Sequence, residues 1–186
     1  MTMQADGEVI RDQIYFGILV DVLSMPVKPA ESRLCWMQNL VTNELFNCYL
    51  NQLVDSDDTV KRYRELDGGQ VRGDMPRYRA SIEDIQAFCA WACDRFRAWG
   101  AFRLPTVEEC RNCPAPIAAL LWPGNRPDIE WEWCGNCMPQ DEAQKKNGVR
   151  LRCVWHQNGR YADEQIEGMA SNLTTVGFRL IFIPNE

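Results

Sequence analysis

Two Cys-x-x-Cys pairs constrain this chain more than any other feature. Cys110-Arg111-Asn112-Cys113 and Cys134-Gly135-Asn136-Cys137 stand about twenty residues apart and bracket a Pro-rich stretch with little obvious core. The spacing is close to that of structural zinc sites, in which four thiolates surround one ion and leave no coordination position open. A Cys-x-x-Cys turn brings two sulfurs to one point, and Gly135 eases such a turn. Because a tetrathiolate site contributes folding energy, zinc held by Cys110, Cys113, Cys134 and Cys137 would be a useful staple for that segment. Two other readings of the same residues stay open. They can be buried free thiols, or a redox dithiol, although the sequence around them lacks the thioredoxin-like βαβ setting.

The rest of the composition describes one globular domain over residues 1–186. Seven Trp, seven Phe and 46% apolar residues supply a core and argue against disorder. A formal charge of −6 makes nucleic acid an unexpected partner. The basic residues between Lys61 and Arg103 are interrupted by Glu65, Asp67, Asp74, Glu83, Asp84 and Asp94, which reads as a solvated mixed-charge face. The apolar run from Phe16 to Val27 is broken by Asp21, ends around Pro26 and follows acidic residues. It fits neither a secretory signal nor a membrane span. A cytoplasmic location is therefore expected, with no membrane partner, and the nine cysteines should be reduced.

Local patterns place the elements. Tyr15 to Val22 reads as a buried strand and Leu34 to Val41 as a second. Thr42 or Asn43 can cap a helix carrying Leu45, Phe46, Tyr49, Leu50 and Leu53 on one face, ended by Asp55 to Asp58. Residues 56–75 are polar and contain Gly68, Gly69 and Gly73, so they read as a surface loop. Ser81 caps the next helix, with Asp84 at the third position as a weaker version of the capping box. Ile82, Ile85, Phe88, Cys89, Ala92 and Phe96 form its core stripe, and Cys89 and Cys93, one turn apart, read as small buried hydrophobes. Thr106-Val107-Glu108-Glu109 is a full capping box for a short helix that must stop before Pro114 and Pro116. The chain is then irregular to Pro127. Trp131 and Trp133 share one strand face with Glu132 on the other, Gln140 to Gly148 is loop-like, and Leu151 to Trp155 and Phe178 to Ile183 read as closing strands.

Five strings in order carry a family resemblance over residues 38–183. They are Val41-Thr42-Asn43, Ala80 to Trp91, Arg103-Leu104-Pro105-Thr106, Trp131-Glu132-Trp133-Cys134 and Gly177-Phe178-Arg179-Leu180. Together they resemble the formylglycine-generating enzyme, or sulfatase-modifying-factor, family. The resemblance implies a single irregular α+β domain with a C-type-lectin-like fold, few helices packed around short antiparallel sheets. It also implies a copper-dependent oxidase acting on a peptidyl cysteine, and there the sequence departs from the family. No cysteine lies between His156 and Val176, where the family's copper pair belongs, and Cys153 just upstream is a single thiol. Arg152-Cys153-Val154-Trp155 replaces the family's double-glycine string, and Asp128-Ile129-Glu130 stands where an asparagine helps bind calcium. One histidine, His156, excludes the related iron-dependent sulfoxide synthases.

The expected function is therefore a non-catalytic recognition or assembly module with no catalytic residues and no copper. Trp155, His156, Asn158, Arg160 and Tyr161 mix aromatic, amide and basic groups suited to adaptable contacts, so they are the candidate ligand-binding residues. The partner is expected to be a protein or a small ligand. An oxidase of the formylglycine-generating type and a structural subunit of a larger complex are the alternatives.

Overall fold

A period-2 alternation that splits between two cores organises the molecule. In the computed structural model the described residues are 10–15, 19–24, 34–54, 57–67, 72–98, 100–121, 131–135, 147–156, 159–168 and 176–185. Strands β1 (Ile10–Tyr15), β2 (Leu19–Ser24), β3 (Cys35–Met37), β9 (Ile181–Pro184) and β4 (Gly100–Arg103) form an antiparallel sheet in the order β1-β2-β3-β9-β4. Successive side chains of a strand point to opposite faces. Val20 and Val22 of β2, Cys35 and Met37 of β3 and Phe182 of β9 enter a large core on one face. Leu23, Trp36 and Ile181, the residues between or beside them, enter a smaller core on the other. Burial on both faces explains why these segments read as nearly continuous apolar runs, with Asp21 the one charge in β2.

The same fact corrects the single strand expected over Tyr15 to Val22. The chain forms a hairpin there, with Ile10 opposite Ser24 and Tyr15 opposite Leu19. Leu34 to Val41 contributes a strand of three residues only. At the far edge Gly100 has φ +154, and a Cβ there would stand 2.1 Å from the Ile183 carbonyl oxygen. The close β4–β9 approach thus requires glycine.

Helices α1 (Asn43–Leu50), α2 (Asp58–Asp67) and α3 (Ile82–Arg95) contribute to the larger core. Thr42 caps α1 by accepting from the Leu45 N–H, and Ser81 caps α3 by accepting from the Asp84 N–H. Phe46 sits at the centre, its ring centroid 5.2 Å from Tyr63, 5.4 Å from Phe88 and 6.1 Å from Phe178. Such aromatic pairs stabilise beyond their buried area. Helix α2 replaces the expected surface loop: Asp57 accepts from the Thr59 N–H at its start, and Val60 and Tyr63 bury one narrow stripe. Most of the charged residues between Lys61 and Arg103 are exposed, but Arg77 and Asp84 are buried. Asp84 accepts from Arg62, from the Tyr63 hydroxyl and from the Ser81 hydroxyl, so it ties α2 to the start of α3 instead of closing a capping box.

Helices α4 (Val107–Asn112) and α5 (Ala115–Leu121) build the smaller core. The segment expected to be irregular is helical at α5 because Pro114 precedes it and Pro116 lies in its first turn, where a missing N–H costs nothing. A second sheet, in the order β7-β6-β5-β8, combines β5 (Trp131–Cys134), β6 (Asn147–His156), β7 (Gly159–Gly168) and β8 (Val176–Gly177). Phe178 to Leu180 link β8 to β9 and are not strand. The fold is α+β, as expected. Among the described residues no helix is long and apolar enough to cross a membrane.

Candidate functional site

The sequence ties α4 to β5 through a few backbone groups, and this brings cysteines together. Thr106 and Glu109 form the expected reciprocal capping box, and Arg103 grips the Glu109 carboxylate at 2.6 and 2.7 Å. At the same helix end, Thr106 bridges in parallel to Gly135, whose N–H donates to the Pro105 carbonyl at 2.9 Å. Cys134, one residue before Gly135, therefore meets Cys110, one turn into α4. Their sulfurs lie 3.8 Å apart, and both side chains are buried. Cys113, at the C-cap of α4, belongs to the same apolar cluster. Cys137 lies outside the described residues. Among the described residues, no three His, Cys, Asp or Glu side chains converge closely enough to hold a metal ion.

A buried ion pair stands beside these thiols. Arg179 is 1% exposed and Glu132 4%. The guanidinium donates through Nε and Nη2 to the two carboxylate oxygens at 2.7 and 2.6 Å. Its Nη1 donates to the Met37 and Gln38 carbonyls, and Nη2 reaches the Leu121 carbonyl. Burial works against the arginine's charge. The Glu132 carboxylate and the nearby Cys110 and Cys113 more than offset this, so the Arg179 pKa is raised. The pair locks β5 of the second sheet to the end of β3 in the first and to the last turn of α5.

Sequence reasoning placed Glu132 opposite the tryptophans but did not give it a partner. The available signal was chemical: Arg179 is a lone charge in an apolar string, Glu132 stands between two tryptophans, and buried charges need partners. Trp133, on the other face, is fully buried, and its Nε1 has no hydrogen-bond partner. Gly177 fits a close approach, since a Cβ there would stand 2.6 Å from Leu40 Cδ1.

Four of the five expected ligand-binding residues, Trp155, His156, Arg160 and Tyr161, lie on strands β6 and β7. Trp155 pairs with Arg160, His156 with Gly159 and Val154 with Tyr161, while Asn158 lies outside the described residues. The hairpin register thus groups four of the five residues at one end of a long ribbon. Cys153 stands opposite Ala162 in the same ladder. Asp128, Ile129 and Glu130 lie outside the described residues. The other thiols read as core residues are half-buried: Cys93 Sγ lies 3.1 and 3.2 Å from the Phe102 carbonyl and amide, and burial pushes the Cys89 thiol up to about 12.

No family model matches the chain, and no curated protein does. The crystal structure of CarF is similar over 96% of this chain and 97% of that one, with 12% identity and a TM-score of 0.46. The resemblance to the formylglycine-generating family is therefore corrected. Neither sequence comparison returns it, and the solved structure that spans nearly the whole chain is of a different protein. The five strings have local explanations. Thr42, Ser81 and Thr106 cap helices, Glu132 and Arg179 pair, and Gly177 avoids Leu40. Each is a solution that unrelated α+β chains can reach independently. The lectin-family expectation falls with the resemblance.

Proposed function

We propose that this chain is a recognition or assembly module that binds a protein or small ligand through the tip of its β6–β7 hairpin. The ladder register carries the reading: Trp155 opposite Arg160, beside His156 and next to the Val154–Tyr161 pair. Tryptophan, tyrosine and arginine supply rigid contact area and directional donors, the groups that dominate binding surfaces. Strand β7 is also at an edge of its sheet, and a sheet edge can accept an added strand from a partner. The test is a purified complex. A partner that copurifies with the wild-type chain at fixed stoichiometry should be lost from a Trp155→Ala/Arg160→Ala variant whose circular dichroism is unchanged. Retention of that partner by the variant would move the surface elsewhere.

A structural zinc ion on Cys110, Cys113, Cys134 and Cys137 belongs to the same proposal. With zinc–sulfur bonds of about 2.3 Å, the sulfur–sulfur edge of a tetrahedral site is about 3.8 Å, and the Cys110–Cys134 separation is 3.8 Å. Zinc binding requires Cys113 and Cys137 to close on that edge. Elemental analysis should find about one zinc per chain, lost in Cys110→Ser and Cys134→Ser and retained in Cys48→Ser. Thiol variants with unchanged unfolding midpoints, together with zinc-free protein, would leave the cluster as buried thiols.

A further inference from the structure

The segment from Arg72 to Arg79 turns back under α1 and walls a cavity of about 510 Å³, within the range of about 300–1,000 Å³ usual for small-ligand sites. Arg72, Arg77 and Arg79 line it, against the single carboxylate of Asp67 among the described lining residues. Their states differ. Arg72 is exposed and paired with Asp74 at 2.7 and 3.1 Å. Arg77 is buried, and its Nη1 serves Asp67 and Asn43. Its Nε and Nη2 have no hydrogen-bond partner, and its guanidinium stacks 4.3 Å from the Tyr63 ring centroid. Arg79 donates to the Leu66 carbonyl and has no carboxylate partner among the described residues.

Arg79 also holds φ 61, making it the only described non-glycine residue with positive φ. An L-residue with a Cβ adopts that conformation at a cost, and such outliers cluster where a side chain must be aimed. The remaining lining is Asn43, whose amide is bonded to the Arg72 and Met75 carbonyls, and the largely apolar Leu66, Pro76, Tyr78 and half-exposed Met75, one of two exposed large hydrophobics among the described residues.

We propose that this cavity binds a small organic monocarboxylate with a short apolar body. The carboxylate meets Arg79, with the buried Arg77 charge behind it, and the body lies against Leu66, Met75 and Tyr78. A planar two-oxygen anion matches the guanidinium fork. Asp67 sits on the same cluster and disfavours a compact dianion such as phosphate, while the apolar walls give phosphate nothing to contact.

The test uses the full chain titrated with benzoate, its neutral isostere benzamide, and inorganic phosphate, followed by calorimetry and amide-resolved NMR. Benzoate should bind at least about tenfold more tightly than either of the others, with shifts centred on residues 72–79. Arg79→Gln should weaken benzoate about tenfold without moving the urea midpoint, and Arg79→Lys should restore part of the affinity. Equal binding of benzoate and benzamide, preference for phosphate, no saturable binding of benzoate, or indifference to Arg79→Gln would each overturn the proposal. The hairpin variant Trp155→Ala/Arg160→Ala should leave benzoate binding unchanged, so this site and the hairpin surface stand or fall separately.

Discussion

Arg77 and Arg179 are each 1% exposed, yet the protein solves the problem of burying their charge in opposite ways. Arg179 is bonded at Nε, Nη1 and Nη2, to both oxygens of Glu132 and to three backbone carbonyls. Arg77 is bonded only at Nη1, and the Phe46 and Tyr63 rings replace the missing acceptors, 5.2 and 4.3 Å from its centre. The first arrangement is closed, and it joins two sheets. The second leaves donors unused beside a cavity. A full set of acceptors marks a structural joint, whereas an incomplete set next to space marks a place where chemistry can be added.

The sharpest way to break this comparison is to remove the carboxylate from the closed pair. Glu132→Ala leaves Arg179 charged, buried and short of two acceptors, and should cost about 3–5 kcal/mol by urea unfolding. The double variant Glu132→Leu/Arg179→Met should recover most of that loss, since apolar groups of similar volume often replace a buried pair without penalty. Recovery will be incomplete because the Met37, Gln38 and Leu121 carbonyls lose a donor. A loss below about 1 kcal/mol in Glu132→Ala would mean that the carbonyls alone hold Arg179, and the pair would not be the joint described.

The open arrangement should be less sensitive. Asp67→Ala removes the carboxylate of Arg77, but Asn43 and two aromatic rings remain, and Asp67 is 23% exposed. A loss of about 1–3 kcal/mol is expected, smaller than for Glu132→Ala in the same measurement. Equal losses would erase the distinction between a closed and an open site.

Short-range grammar was legible in the sequence, and long-range pairing was not. Thr42, Ser81 and Thr106 cap helices where their side chains predict, because an N-cap depends on residues two to four positions away. Helix α2 was missed because Val60 and Tyr63 are its only buried residues in a charged segment, too few to raise a periodic signal. Strand β7 was missed for a related reason. Its residues are mostly polar, and only the ladder to β6 makes them a strand. In the site, the Cys110 and Cys134 sulfurs lie 3.8 Å apart, their segments joined by the Thr106–Gly135 bridge. The ion pair between Glu132 and Arg179 spans 47 positions, and no local pattern encodes that contact. The family resemblance failed at the same boundary, since it was assembled from local strings.

A third pair extends the comparison to the surface and should show the smallest effect. Arg103 and Glu109 are 40% and 26% exposed, so solvent screens them. Burial pulls the Glu109 carboxyl upward, but hydrogen bonds from Arg103 and from the Thr106 backbone outweigh it, so its pKa in the fold lies below the ordinary 4.5. A carboxyl depressed in the folded state stabilises fully above its unfolded value and loses that contribution as pH falls through the folded value. Glu109→Gln keeps an acceptor for the Thr106 N–H, removes the charge and replaces the oxygen that accepts from Arg103 Nη2. At pH 7 it should cost about 0.2–1 kcal/mol. Urea midpoints measured from pH 7 down to about pH 3 should converge for the two proteins, with the gap closing below about pH 4.5. Parallel curves would show that the geometry of the capping box, and not its charge, holds the start of α4 against Gly135.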